Sequence, residues 1–233
     1  MANEWILIIM LFVTYSLVIL WYRLFGAKGL ISFSVLATIA ANIEVLIVVN
    51  AFGIEQTLGN VLFASTFLIT DILSETEGKK ESRAAVNIGI LASATFVLLS
   101  QSWLLYTPSD SDMIFPAIQA VFSQTPRVML ASFLVFAVSQ KFDVWAYHKW
   151  WEFSSKRFGD TRRFLWLRNN GSTLISQLVN TVLFTLGAFG GTYDAGTLLS
   201  IGISSYLIYA IAALLDTPFV YWARKIHENR KQA

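Results

Sequence analysis

The sequence predicts an all-α integral membrane bundle, on three observations. Of its 233 residues, 55% are hydrophobic and only 14% charged, with a mean hydropathy of +0.58, whereas soluble domains carry about 25% charged residues. Apolar segments of about 20 residues recur, each long enough to cross a ~30 Å hydrocarbon core. The polar residues within those segments are ordered. In WLRNNGSTLISQLVNT, residues 166 to 181, Asn170, Thr173, Gln177 and Asn180 or Thr181 recur at spacings of three and four and share one stripe of a helix. An amide without a partner in hydrocarbon costs several kcal/mol, so this stripe turns toward other helices or a solvated path.

The first apolar segment, 5 to 22, follows Glu4 and precedes Arg23 and Lys28. That is the reverse of a cleaved signal peptide, whose basic region comes first. The second, 30 to 52, carries Asn42 and Glu44, which lie two positions apart and point in different directions unless the helix breaks. Glu44 reads either as a neutral packed acid or as a substrate or proton contact. Ala37 and Ala41 form a small-xxx-small pair suited to close helix packing.

The third segment, 57 to 76, aligns Thr66, Thr70 and Ser74 beside Asp71. Glu75 follows one turn later, and Lys79, four residues on, is its expected partner. A fourth segment covers 85 to 106. Between 107 and 126 the apolar residues Ile114, Phe115, Ile118, Val121 and Phe122 fall at helical spacing and predict a short interfacial or capping helix. The fifth segment, 127 to 148, continues Ser132, Ser139 and Gln140 into Asp143. A basic connection, 149 to 169, turns at Gly159 and Asp160. The sixth and seventh segments are 170 to 190 and 197 to 222, and Thr217-Pro218 beside Asp216 predicts a kink in the last.

Seven spans sort the charges. Of 17 Lys and Arg residues, all but Arg127 fall on one side, so the positive-inside rule expects the N-terminus outside and the C-terminus in the cytosol. The eight tryptophans fall at span ends, as an interfacial belt expects. Asp71, Asp143 and Asp216 reach similar depth near the cytosolic ends. They read either as a clamp on Arg83, Lys141 or Arg168, or as functional carboxylates.

Several function classes are excluded. The chain has no cysteine, and its two histidines, His148 and His227, sit in basic flanks, which leaves no thiol or histidine metal set and no cofactor to expect. Gly171-Ser172 has no histidine at membrane depth to serve as a base, and no phosphate-binding glycine loop exists, so no enzyme is expected. A net charge of +2 gives no footprint for nucleic acid.

Three motifs in order, ITDILSETEGKKESR at 69 to 83, SQKFDVWAYH at 139 to 148 and LWLRNNGSTLISQLVNT at 165 to 181, together with LLDTPFVYWAR at 214 to 224, resemble the queuosine precursor transporter family. This family has also been described as one of vitamin uptake transporters, and the resemblance runs from about residue 41 to 222. It implies a single multi-pass transporter domain over 1 to 233 in a bacterial inner membrane, importing the 7-deazaguanines preQ0 or preQ1 for tRNA modification. Family members resemble six-span bundles. Residues 1 to 28 then form an added helix, 29 to 223 the core and 224 to 233 a cytosolic tail. The family usually carries aspartate at the position of Asn180, a departure that changes the charge there.

A deazaguanine edge offers two adjacent N–H donors that a carboxylate can accept, and a carbonyl that wants an amide donor. Asp71, Glu44 or Asp143 supply the first and Gln177, Asn170 or Gln140 the second, with Phe67 or Phe184 against the flat face. Asn42, Thr70, Thr173 and Asn180 complete the expected substrate path. The expected partners are a small heterocycle and the lipid bilayer, and a homo-oligomer is compatible with the sequence. Competing readings are transport of another heterocyclic vitamin or nucleobase, a substrate-capture subunit that needs an ATP-driven partner, and a non-transporting scaffold.

Overall fold

The computed structural model describes residues 2–123, 126–159 and 164–232, and these form eight helices and one hairpin. They are α1 (Ala2–Phe25), α2 (Ala27–Glu44), β1 (Val48–Ala51), β2 (Ile54–Thr57), α3 (Gly59–Thr76), α4 (Lys79–Trp103), α5 (Phe115–Phe122), α6 (Pro126–Phe158), α7 (Leu165–Phe189) and α8 (Ala195–Gln232). Each of the seven expected spans falls on one long helix. Among the described residues, α1 from Asn3, α2, α4, α7 and α8 are long and apolar enough to cross a membrane.

The helix α3 falls short of that apolarity because it is enclosed. It packs against α1, α2, α4, α6 and α8, and residues 64 to 74 are buried without interruption, Asp71 among them. A helix screened from lipid on every side can carry polar groups wherever neighbours satisfy them. The helix α7 is inverted: Asn169, Asn170, Thr173, Gln177, Asn180 and Thr181 are buried, while Leu178, Val182, Leu183 and Leu186 are exposed.

The N-terminal helix is part of the packed body. Leu11, Tyr15, Val18, Ile19 and Tyr22 join the main apolar core, and the Tyr15 hydroxyl donates to the Ala212 carbonyl of α8 at 3.2 Å. At its start, Asn3 Nδ2 donates to Asn50 O at 2.9 Å, and the Phe52 N–H donates to Glu4 Oε1 at 3.2 Å. At its other end, Arg230 Nη2 donates to Arg23 O at 2.6 Å. The two ends of the bundle are thereby defined: one carries the hairpin, the other the C-terminus.

The structure corrects two expectations at the level of elements. The second span, expected to reach residue 52, ends at Glu44, and residues 48 to 57 form a short antiparallel hairpin within an otherwise helical bundle. Its two-residue loop, Phe52 and Gly53, has φ of 55° and 74°, the backbone of the tight hairpin turn that matches strand twist. Glu75 also turns away from Lys79, as described below. Pro218 lies inside α8, which is helical on both sides of it.

Other expectations agree. Helix α5 forms within the connection 107 to 126, with Asp112 Oδ1 accepting from the N–H groups of Ile114 and Phe115 at 2.7 and 2.8 Å. Ala37 and Ala41 are buried, and Gly59 comes so close to α2 that a Cβ there would lie 3.0 Å from Ala41 O. Gly159 ends α6 with φ 67°, while Asp160 lies outside the described residues.

Candidate functional site

A cavity of about 240 Å³ opens at the hairpin end, between β1–β2, α2, α3, α6, α7 and α8. Pockets for drug-sized ligands are typically ~300–1,000 Å³, so this one suits a small heterocycle. Phe63, Phe136, Phe184 and Tyr209 supply aromatic walls, and Asn42, Gln56, Asn60, Asn180 and Thr181 supply polar atoms. Asn42 is tied on three sides, donating to Thr38 O at 2.9 Å and Ser93 Oγ at 3.1 Å and accepting a long bond from Ser132 at 3.4 Å. Asn60 Oδ1 accepts from the Tyr209 hydroxyl at 2.9 Å and from Thr57 at 3.2 Å.

A polar column continues beneath the cavity. Gln140 Nε2 donates to Thr66 Oγ1 at 2.6 Å, and Thr70 Oγ1 lies 3.4 Å from Gln140 Oε1 and 3.5 Å from Asp143 Oδ2. Thr173 donates to Asp71 Oδ2 at 2.9 Å, and Asn169 Nδ2 donates to Asp216 Oδ1 at 2.8 Å. Asp71 on α3, Asp143 on α6 and Asp216 on α8 are thus each met by a hydroxyl or amide of a neighbouring helix. All three are fully buried. Among the described residues, no ion pair reaches them, which corrects the expected clamp on Arg83, Lys141 or Arg168; their donors are neutral. Asp71 Oδ1, Asp143 Oδ1, Asn169 Oδ1, Asn170 Oδ1 and Gln177 Oε1 are buried acceptors without a donor.

Below the aspartates, the basic end is sealed by a different acid. Glu75 receives both arms of Arg168, Nε to Oε2 at 3.0 Å and Nη2 to Oε1 at 2.7 Å. Arg224 Nη1 adds a contact at 3.3 Å and the Tyr147 hydroxyl donates at 2.8 Å. The Arg168 guanidinium stacks on Trp151, 4.3 Å from the ring centroid. Arg168 and Glu75 are 1% and 3% exposed, so Coulomb attraction here is screened far less than at a surface. Trp151 is thus a stacking residue and not only a membrane anchor. From Asn60 in the cavity wall to Glu75 in the seal, α3 rises about 22 Å at ~1.5 Å per residue.

Residues 57–223 match the model of the family described as "Putative vitamin uptake transporter". Over all 233 residues, covering both chains completely, the sequence is 38% identical to the "Probable queuosine precursor transporter" of Bacillus subtilis (strain 168). The chain belongs to the queuosine precursor transporter family. No solved structure matches it. It is a transporter and not an enzyme, and a multi-pass protein of the bacterial inner membrane.

Within this transporter, the expected site residues divide between two levels. Asn42 and Asn180 line the cavity, as does Phe184. Thr70, Asp71, Gln140, Asp143, Thr173 and Gln177 lie in the column. Phe67 is buried between the levels, its ring 5.4 Å from that of Phe63. Asn170 donates to Trp166 O and Thr217 Oγ1, both at 2.8 Å, and stands beside the Asp216 end of the column. Glu44 is half-buried at the end of α2 and does not line the cavity.

The sequence reading missed Gln56, Asn60 and Tyr209 in the cavity wall, and the Glu75–Arg168 pair. Asn60 stands three residues after Thr57 and Tyr209 four after Ser205, pairs too short to declare a stripe of the length seen on α7. Gln56 falls in the connection, 53 to 56, that the predicted spans leave between them, where no helical stripe can mark it.

Proposed function

We propose that this transporter imports 7-deazaguanine precursors of queuosine, preQ0 or preQ1, for tRNA modification. Its seven long helices span the membrane with the N-terminus outside and the C-terminus in the cytosol, so that the cavity faces outward. The observation that carries this reading is the cavity itself: flat aromatic walls, side-chain amides among its lining residues, and a polar column leading from its floor toward the cytosolic end. The full-length likeness to a relative named for queuosine precursors supports the same substrate class.

A deazaguanine entering from outside packs its faces on Phe63, Phe136 or Phe184 and meets the amides of Asn42 and Asn180. Its two adjacent N–H donors then find acceptors in Asp71 or Asp143, and its carbonyl a donor in Gln177 or Gln140. Thr70 and Thr173 hold the two carboxylates in register, and Asn170 bonds Thr217 beside Asp216. Release requires the Glu75–Arg168–Arg224 seal to part. In the arrangement described here, with the cavity open and the seal formed, the protein is ready to load from outside. No nucleotide-binding motif exists in the chain, so ATP would have to act through a partner.

The test is uptake of labelled preQ0, preQ1 and guanine by cells lacking queuosine synthesis, with and without a proton uncoupler. Accumulation of preQ0 or preQ1 that depends on this protein is the expected result. Equal guanine uptake, or no uptake of either precursor at normal membrane abundance, rejects the substrate assignment.

A further inference from the structure

Most polar groups on the cavity wall are already occupied. Asn42 is held by Thr38, Ser93 and Ser132, and Asn60 by Tyr209 and Thr57. Two are not. Gln56, on β2, is 7% exposed and its Nε2 has no acceptor; Thr181, on α7, is 4% exposed and its Oγ1 has no partner. Both line the cavity, from different elements. A buried amide N–H and a buried hydroxyl left without partners are costly to keep unless a ligand completes them.

The charge of the wall narrows the ligand. Among the lining residues, Glu55 alone is charged, and it neighbours Gln56 on the same strand. Consecutive strand residues face opposite ways, and Glu55 is exposed where Gln56 is buried, so the cavity offers an anion no Lys or Arg to replace its lost hydration, while a neutral heterocycle needs none.

We infer that Gln56 and Thr181 are specificity-determining residues of this cavity. While the ring sits in the cavity, before it reaches Gln177 or Gln140 in the column, the Gln56 carboxamide donates to its carbonyl and Thr181 bonds a second polar atom, and a lining without Lys or Arg selects against anionic ligands. The hairpin is therefore a recognition element rather than a simple connection. This rests on the transport reading above, and adds to it the residues that read the heterocycle and the sign of charge they admit.

The test is binding of preQ1, preQ0 and a deazapurine lacking the ring carbonyl to purified full-length protein, as wild type, Gln56→Leu, Gln56→Glu and Thr181→Val. Gln56→Leu is expected to weaken the carbonyl-bearing ligands at least tenfold and to leave the carbonyl-free analogue, already weak on wild type, unchanged. Thr181→Val, nearly isosteric, is expected to weaken the carbonyl-bearing ligands several-fold at unchanged Tm. If Gln56→Leu fails to fold, Gln56→Glu, which retains polarity but loses the donor, and Thr181→Val carry the test. Wild-type binding with all folded variants within twofold overturns the inference and leaves the transport reading standing. Absence of wild-type binding to either precursor overturns both.

Discussion

At the scale of single residues, the column's chemistry rests on acceptors. Asp71 keeps one oxygen bonded to Thr173 and one without a donor, and its expected rival role, holding Arg168, belongs to Glu75. Asp71→Asn retains an oxygen for Thr173 but turns the other position into a donor, so bidentate recognition is lost while the helix contact survives. The expected outcome is folded protein at wild-type abundance that fails to bind precursor; wild-type affinity in that preparation would remove the carboxylate contact. Gln177→Leu deletes an amide whose Oε1 already lacks a donor, without opening a large void. It is expected to abolish uptake at normal abundance, and unchanged uptake would take Gln177 off the path. These positions were legible in the sequence because polar groups at spacings of three and four must share a face, and in lipid that face must turn inward. Their partners were not legible. Glu75 is four residues from Lys79, which favours that pair in an isolated helix, yet the tertiary fold brings Arg168 from 93 positions away. A buried two-armed guanidinium contact outweighs a solvated pair worth about 0.3–0.5 kcal/mol.

At the scale of elements, long spans are set by hydrophobic length, and each predicted one has its helix. The hairpin escaped because a short apolar run fits a strand or a helix end equally well by periodicity. The sequence did hold a signal: consecutive Val48 and Val49, then Gly53 where a positive φ is needed. An L-residue in that backbone region costs about 1–2 kcal/mol, and nothing lies within 4 Å of a Cβ built on Gly53, so strain alone acts there. Gly53→Val is expected to disorder the hairpin locally, weakening precursor binding more than it lowers Tm. Titration and thermal melting of the same sample separate the two effects, and equal affinity would deny the hairpin a part in binding. The seal joins α3, α6, α7 and α8 through Glu75, Tyr147, Arg168 and Arg224. Arg168→Met leaves Glu75 short of its main partner and is expected to destabilise the protein by about 3 kcal/mol, whereas Lys79→Ala leaves Tm unchanged. Similar melting of both variants would return Glu75 to its neighbour.

At the scale of the whole molecule, the bundle has two chemically different ends, and their difference orients it. The hairpin, the start of α1 and the turn between α7 and α8 meet at one end, since Val48, Glu55, Phe189 and Tyr193 line one cavity there and Asn3 bonds Asn50. The C-terminus, Arg23 and the turn at Gly159 belong to the other. Of 17 Lys and Arg residues, Arg127 alone is assigned to the hairpin end. Retention of basic loops on the cytosolic side decides orientation during insertion, so the cavity end should face outward. A reporter active only in the periplasm is therefore expected to work when fused after Thr192 and to fail after Gly159. The fusion points test orientation and span count together. An extra or missing crossing before residue 159 inverts both signals, and one between 159 and 192 makes them equal. The inverted pattern would place the cavity in the cytosol, where the same geometry would load from inside and the direction of transport would have to be argued again.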